Sequence, residues 1–347
     1  MSQSILPIAP QEATKVILKN LPSRRMRDVI EKRFGLRGGS AHTLQAIGKE
    51  YKITRERVRQ IEYDALKQLR KEEHLQDIAP VFQAVKAHMV SHGGVMAEHQ
   101  LMADLCENRY HSHVALLLDI GPEFHRMPEG DNFHQRWAVN KEMAASAEKV
   151  LGTVTKDLEN EKRTVSADEL HSMVVRAAKD VHGTAPEDHV VKTLLASSKA
   201  IRKNPYGEFG LTWWPSISPS GVKDKAYVAI AKAAKPLHFR EVADVINKAG
   251  WSKKKAHPQT VHNELIKDKR FVLVGRGLYA LKEWGYEPGA VRDVIVSVLR
   301  EARKALTKDE IVTLATKKRL VKVPTILLNL QNKKLFKRLG DGTYTLA

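Results

Sequence analysis

TLQAIGKEYKITRERVRQIEYDALKQLR, residues Thr43–Arg70, places its apolar residues at helical spacing on both sides of a short break. A helix is expected from Thr43, with Leu44 and Ile47 facing inward. Tyr51-Lys52-Ile53 then makes a turn, and a longer helix runs from Thr54 to about Arg70. In that helix Val58, Ile61, Ala65 and Leu69 form one stripe. At about 100° per residue, Glu56, Arg59, Gln60 and Tyr63 point the opposite way, with Arg55 in the first turn. Just upstream, LPSRRMRDVIEKRFGLR (residues 21–37) sets Met26, Val29, Ile30 and Phe34 at helical spacing, stops at Gly35, and is followed by Gly38 and Gly39. Two helices joined by a tight turn, the second with outward Arg, Glu and Gln, suit entry into a major groove. Arginine pairs with guanine edges, glutamine with adenine, and glutamate accepts from cytosine. Thr54, Arg57 and Arg59 are then expected at phosphates.

The same string resembles region 4.2 of the sigma-70 family of RNA polymerase sigma factors, whose signature runs T-L-x-E-I-G-x-x-x-x-[IV]-T-R-E-R-[IV]-R-Q-I-E-x-x-A-L-x-K-L-R. VIEKRFGL (Val29–Leu36) is similar to the region 4.1 helix, so the resemblance covers roughly residues 20–72. It implies a helix-turn-helix in which Arg55, Glu56 and Gln60 read the bases of a −35 promoter element. It also implies double-stranded promoter DNA and the RNA polymerase core as partners, including the flap of the β subunit. Ala46 stands where the family often has Glu, and Arg24-Arg25 replaces a usual acidic residue. No stretch resembles the region 2 helices that melt the −10 element, so a complete sigma factor is not expected.

The chain has 347 residues, a net charge of +18 and 42% hydrophobic residues, enough for several cores. Residues 1–75 carry 16 Lys and Arg against 9 Asp and Glu; residues 76–219 carry 15 against 19; residues 220–347 carry 27 against 12. Both ends are therefore basic and the middle mildly acidic, which suggests two nucleic-acid-facing ends joined by a segment with another job. No run of eighteen apolar residues and no secretory leader is legible, and Cys106 is the one cysteine. These features point to the cytoplasm, at the nucleoid, with no membrane partner and no disulfide.

A weak repeat follows the basic N-terminus. VMAEHQL (95–101), VSADEL (165–170), LHFREV (237–242) and LTKDEI (306–311) each lead into a helix after an amphipathic one. FHRMPEGDNFHQRWAV (124–139), IRKNPYGEFGLTW (201–213), FVLVGRGLYAL (271–281) and LFKRLGDGTYTL (335–346) each alternate around turn residues as a two-stranded ribbon requires. Helix, helix, helix, hairpin is the winged-helix plan. The expected architecture is thus mainly α, a helix-turn-helix over residues 1–76 and four winged-helix-like units over 77–143, 144–219, 220–286 and 287–347. SISPSGV (216–222) reads as a linker.

Residues 226–284 resemble the HARE-type winged helix, a helical DNA-associated module also found in the polymerase delta subunit. From the residues themselves, Pro258 starts a third helix with Gln259, Thr260, His262 and Asn263 outward and Val261, Leu265 and Ile266 packed. Lys253, Lys254 and Lys255 lie just before it, and Arg276 between two glycines tips the wing; all four suit phosphates. The last unit repeats this with Pro324, Lys333, Lys334, Lys337 and Arg338. The Trp213-Trp214 pair is expected in the core. His88 and His92 have helical spacing, but with one cysteine and scattered histidines no metal or other cofactor is expected. No Ser-His-Asp set, paired carboxylates or phosphate-cradling glycine loop is legible, so neither an enzyme nor a small-molecule substrate is expected. Three functions follow: a sigma-like promoter reader, a polymerase-bound delta-like adaptor, and a chromosome organiser without promoter preference.

Overall fold

The structure is a computed structural model that describes residues 5–286, 289–318 and 321–347. The boundary expected at residue 287 lies outside the described residues. By packing the chain divides into two compact units, Met1–Arg202 and Lys203–Ala347. No described helix is long and apolar enough to cross a membrane.

The first unit opens with α1 (Pro10–Lys19), α2 (Arg24–Phe34), α3 (Leu44–Tyr51) and α4 (Arg55–Leu69). Local chemistry sets their ends. Ser23, Thr43 and Thr54 each cap the helix that follows by accepting a backbone N–H at 3.1 Å. Gly35 ends α2 in the left-handed region at φ 71°, and Lys52 makes the turn after α3 at φ 53°. Val29, Ile47, Val58 and Ile61 form a small core where the three helices meet. The short α5 (Glu72–Leu75) leads on to the repeats.

The first repeat is α6 (Ala79–Ser91), β1 (Val95–Ala97), α7 (Glu98–Leu105), α8 (His111–Ile120), β2 (His125–Met127) and β3 (Arg136–Ala138), with sheet order β1-β3-β2. All its strand pairs are antiparallel. A continuous core runs from Leu6, Ile17 and Ile30 through Leu69 and Met89 to Leu117 and Trp137. The helix-turn-helix and the first winged repeat are therefore one packed body. Inside it Thr14 Oγ1 and His113 Nδ1, both buried, lie 2.6 Å apart across 99 positions of sequence.

The second repeat is α9 (Lys141–Glu161), α10 (Ala167–His182) and α11 (Asp188–Ser197), then the ribbon β4 (Ile201–Lys203) and β5 (Phe209–Leu211). Ser166 and Glu169 form a capping box at the start of α10. The third repeat is α12 (Val222–Ala233), β6 (Leu237–His238), α13 (Phe239–Ala249), α14 (Pro258–Lys267), β7 (Phe271–Gly275) and β8 (Leu278–Leu281), with order β6-β8-β7. The fourth is α15 (Val291–Ala302), α16 (Lys308–Lys318), α17 (Val323–Leu330), β9 (Phe336–Arg338) and β10 (Tyr344–Leu346). A bridge from Leu306 to Tyr344 stands where β1 and β6 stand in their repeats. Each of these last two repeats has its own apolar core. The mainly α plan of a helix-turn-helix and four winged-helix-like repeats is what the structure contains.

Two packing expectations need correction. Trp213 is 54% exposed rather than core, and only Trp214 is half-buried, against Gly210. Ile266 is 63% exposed while Val261 and Leu265 are buried. The reason is helical geometry: Ile266 lies about 140° around the helix from Val261, outside the stripe that packs.

Candidate nucleic-acid interface

The N-terminal half of α4 presents the charged residues as a row. Val58, Ile61, Ala65 and Leu69 are all buried, so the side bearing Thr54, Arg55, Glu56, Arg57, Arg59, Gln60 and Tyr63 is left to solvent. Their side chains are partly paired along the helix. Arg59 donates to the Glu56 carboxylate from Nε at 3.0 and 3.1 Å and from Nη2 at 2.7 Å. Arg57 Nη1 donates to Gln60 Oε1 at 3.0 Å. The Arg59 guanidinium holds the Glu56 carboxyl below the usual carboxylate range. Glu56 is therefore an acceptor at neutral pH, as a cytosine amino group requires. Among the described residues the Arg55 side chain makes no hydrogen bond or close ion pair; it is exposed, with its charge felt by the Glu56 carboxylate. Arg57, Arg59, Gln60, Tyr63 and Asp64 also line a surface groove of about 420 Å³.

The row is aimed by a charged network behind it. Arg33 on α2 donates to Glu62 on α4 at 2.9 Å and to the His42 carbonyl at 2.7 Å. Lys32 pairs with Asp28 at 2.8 Å and with Glu50, and Tyr51 donates to Asp28. Burial pushes the Asp28 carboxyl up, but Lys32 and Tyr51 outweigh it and hold it below its ordinary value. These ties fix α2, α3 and α4 to one another. Periodicity in the sequence does not point to the ties between helices, Arg33 with Glu62, Lys32 with Glu50 and Tyr51 with Asp28, because their partners sit on different helices.

In the third repeat Gln259, Thr260 and Asn263 are exposed on α14, with Gln259 Nε2 donating to Asn263 Oδ1 at 3.3 Å. His262 does not join them. It is half-buried, stacked on Phe239 with ring centroids 4.5 Å apart and edge-on to Tyr279 at 5.9 Å. It sits about 60° from Leu265 around the helix, at the margin of the buried stripe, so packing claims its ring. Lys253, Lys254 and Lys255 are exposed on a loop that is pinned at both ends. Ser252 Oγ donates to the Lys254 carbonyl at 2.9 Å, and the Asn247 amide brackets Ala256 at 2.7 and 3.1 Å. Arg276 is exposed at the tip of the β7–β8 wing. Next to it Gly277 has φ +67°, and an added Cβ would meet His238 Nε2 at 2.6 Å, so the tip demands glycine.

Comparison with known proteins matches these two places. Residues 17–71 match the family "Sigma-70, region 4". Residues 222–284 match the HARE-HTH family, whose description includes "ASXL, restriction endonuclease HTH domain". The helix-turn-helix and the third repeat are thus each similar to a recognised domain family. Among individual proteins, the RNA polymerase sigma factor SigA of Lactococcus lactis subsp. cremoris is 54% identical over 46 residues, 13% of this chain and 13% of that protein. SigA of Clostridium acetobutylicum is 52% identical over 54 residues, 16% of this chain and 14% of its own length. The sigma factor RpoD of Neisseria gonorrhoeae is 46% identical over 59 residues, 17% and 9% respectively. The chain spans only about a tenth to a seventh of these relatives.

Proposed function

We propose that this chain is a DNA-binding transcription protein that acts with bacterial RNA polymerase and reads a −35-type promoter element. Arg55, Glu56 and Gln60 carry the base readout, and Thr54, Arg57 and Arg59 the phosphate contacts. Lys253, Lys254, Lys255 and Arg276 add a second, sequence-independent grip on the duplex, beside Gln259, Thr260 and Asn263. The observation that supports this most is the exposed row on the first two turns of a capped helix whose opposite side is wholly packed. The row lies within residues 17–71, the segment that matches sigma-70 region 4. The expected five-part division, with the helix-turn-helix reader first and the basic repeats last, gives the two grips separate places along the chain. The reading expects the protein in the cytoplasm with the nucleoid, without catalysis or a small-molecule substrate.

The test is binding to a duplex bearing a −35-type element and to random duplex. Arg55→Ala or Gln60→Ala is expected to cost about 1–3 kcal/mol on the first and little on the second. Equal loss on both duplexes would defeat base reading.

A second reading, a polymerase-bound adaptor without promoter preference, draws on one observation. The outward stripe of α14 that begins with Gln259 and Asn263 ends in exposed Ile266, a residue suited to a protein surface rather than to phosphates. In that reading the helix-turn-helix grips the polymerase, at the β flap, and the third repeat recruits partners. Salt-sensitive binding to duplex without polymerase separates the two.

A further inference from the structure

Apart from the DNA-facing rows, the first repeat gathers histidines at one corner. His88 lies in the last turn of α6, His92 follows it as the capping residue, and Asp104 lies in the last turn of α7. Among the described residues these three bring one ligand atom each within 4.8 Å of one another. His88 Nε2 is 3.1 Å from Asp104 Oδ2, and the His88 and His92 rings are 4.3 Å apart. His92 Nδ1 is 2.8 Å from the His88 carbonyl, to which only an N–H can donate. That bond fixes the tautomer with the proton on Nδ1 and leaves Nε2 as a bare lone pair, the arrangement by which outer partners orient metal-binding imidazoles. Gly93 and Gly94 follow at φ 88° and 76°, turning the chain sharply out of the helix directly after His92.

We propose that His88, His92 and Asp104 bind a divalent transition ion of the zinc type. Two imidazoles and one carboxylate suit Zn²⁺, Co²⁺ or Ni²⁺ rather than Mg²⁺ or Ca²⁺, which want oxygen ligands. Zinc bonds of about 2.0–2.1 Å place ligands roughly 3.3 Å apart in a tetrahedron. The His88–Asp104 separation of 3.1 Å is close to this, and the three ligand atoms lie within 4.8 Å of one another. The fourth position is left to water, as in other sites with three protein ligands. His189 of α11 lies against the corner, its ring 5.0 Å from His92 and its Nε2 2.6 Å from the Ser91 carbonyl. The ion would thus fasten α6 to α7 at the seam where the second repeat packs on the first. The ion lies away from the exposed row of α4.

Sequence spacing alone missed the set because Asp104 belongs to the next helix and reaches the pair only through the packing of α7 on α6.

The experiment uses the full chain, freed of metal by a chelator and titrated with Co²⁺ and then Zn²⁺. Visible absorption of bound cobalt and calorimetry are the readouts. One cobalt per chain, displaced by zinc, is expected. His92→Gln and Asp104→Asn, each conserving size, should weaken binding at least about tenfold, while His182→Ala on the exposed end of α10 should not. Independently of any variant, zinc should protect His88 and His92, but not His182, from an acylating imidazole reagent read by peptide mass. Absence of stoichiometric binding, binding indifferent to both substitutions, or equal modification with and without zinc would each overturn the site.

Discussion

Replacing Gly48 with alanine sets helix propensity against a steric limit. Gly48 lies inside α3, where alanine is normally better than glycine by up to about 1 kcal/mol. Here a Cβ would stand 2.8 Å from the Ile53 carbonyl oxygen and 3.5 Å from the Arg55 nitrogen. The Ile53 N–H already donates back to the Gly48 carbonyl at 2.9 Å, so the two backbones are locked face to face. No side-chain rotation relieves a contact with backbone; the turn itself must move. Forcing atoms into a packed site costs about 1–3 kcal/mol, so the steric term wins and a net loss of about 1–2 kcal/mol is expected. Because the displaced atoms lead straight into Thr54 and Arg55, DNA binding should weaken with it. Gly152 in α9 provides the control, since an added Cβ there meets nothing within 4 Å. Gly152→Ala should gain about 0.5–1 kcal/mol. Native-state hydrogen exchange of α3, α4 and α9 amides measures both locally, which a single melting curve of a multi-repeat chain does not. A Gly48→Ala protein as stable as the parent, or more so, would refute the reasoning.

Three further outcomes are expected. Changing Lys253, Lys254 and Lys255 to alanine should weaken binding to all duplexes about equally and reduce the salt slope by about one for each phosphate no longer neutralised; an unchanged slope would remove this loop from the interface. The Glu169 carboxyl is held down to about 2, first by Arg163 and then by the Ser166 backbone N–H, against an ordinary value of 4.5. A lowered folded-state value gives a contribution present above pH 4.5 and lost as pH falls toward about 2, so Glu169→Gln should flatten the pH dependence of α10 stability in that window, destabilising α10 at neutral pH and converging on the parent at the acid end. The Cys106 thiol is pushed up to about 11 by burial and should react slowly with a disulfide reagent at neutral pH until the chain is unfolded; fast reaction in the native state would contradict the packing around α7.

Much of the helix-turn-helix is written locally. Ser23, Thr43 and Thr54 are capping residues with helical stripes behind them, and Gly35 is the one residue type that ends α2 without strain. The wings are legible for the same reason, since alternation around Gly, Asn or Asp depends only on neighbours in sequence. What escapes local reading depends on contacts between distant segments. Thr14 meets His113 through the docking of α1 on α8, and nothing in either segment names the other. The continuous core from Leu6 to Trp137 is invisible to periodicity, which finds an apolar stripe but not what covers it. His262 and Ile266 show the limit within a single helix. Both flank buried Val261 and Leu265; the aromatic rings of Phe239 and Tyr279, from other elements, take the histidine in, while its place around the helix leaves the isoleucine out. The row on α4 is exposed, as its spacing suggests, but its pairing of Glu56 with Arg59 and of Arg57 with Gln60 is a structural addition. In the proposed function, DNA must compete with those pairs.

The central claim is that the N-terminal turns of α4 read sequence, and selection of preferred sites from random duplex DNA tests it most directly. The purified full chain would be used with and without RNA polymerase, beside Arg55→Ala. A recovered −35-type motif that is lost in the Arg55→Ala protein is the predicted result. No motif in either arm, with only salt-labile binding shared equally by the variant, would contradict it.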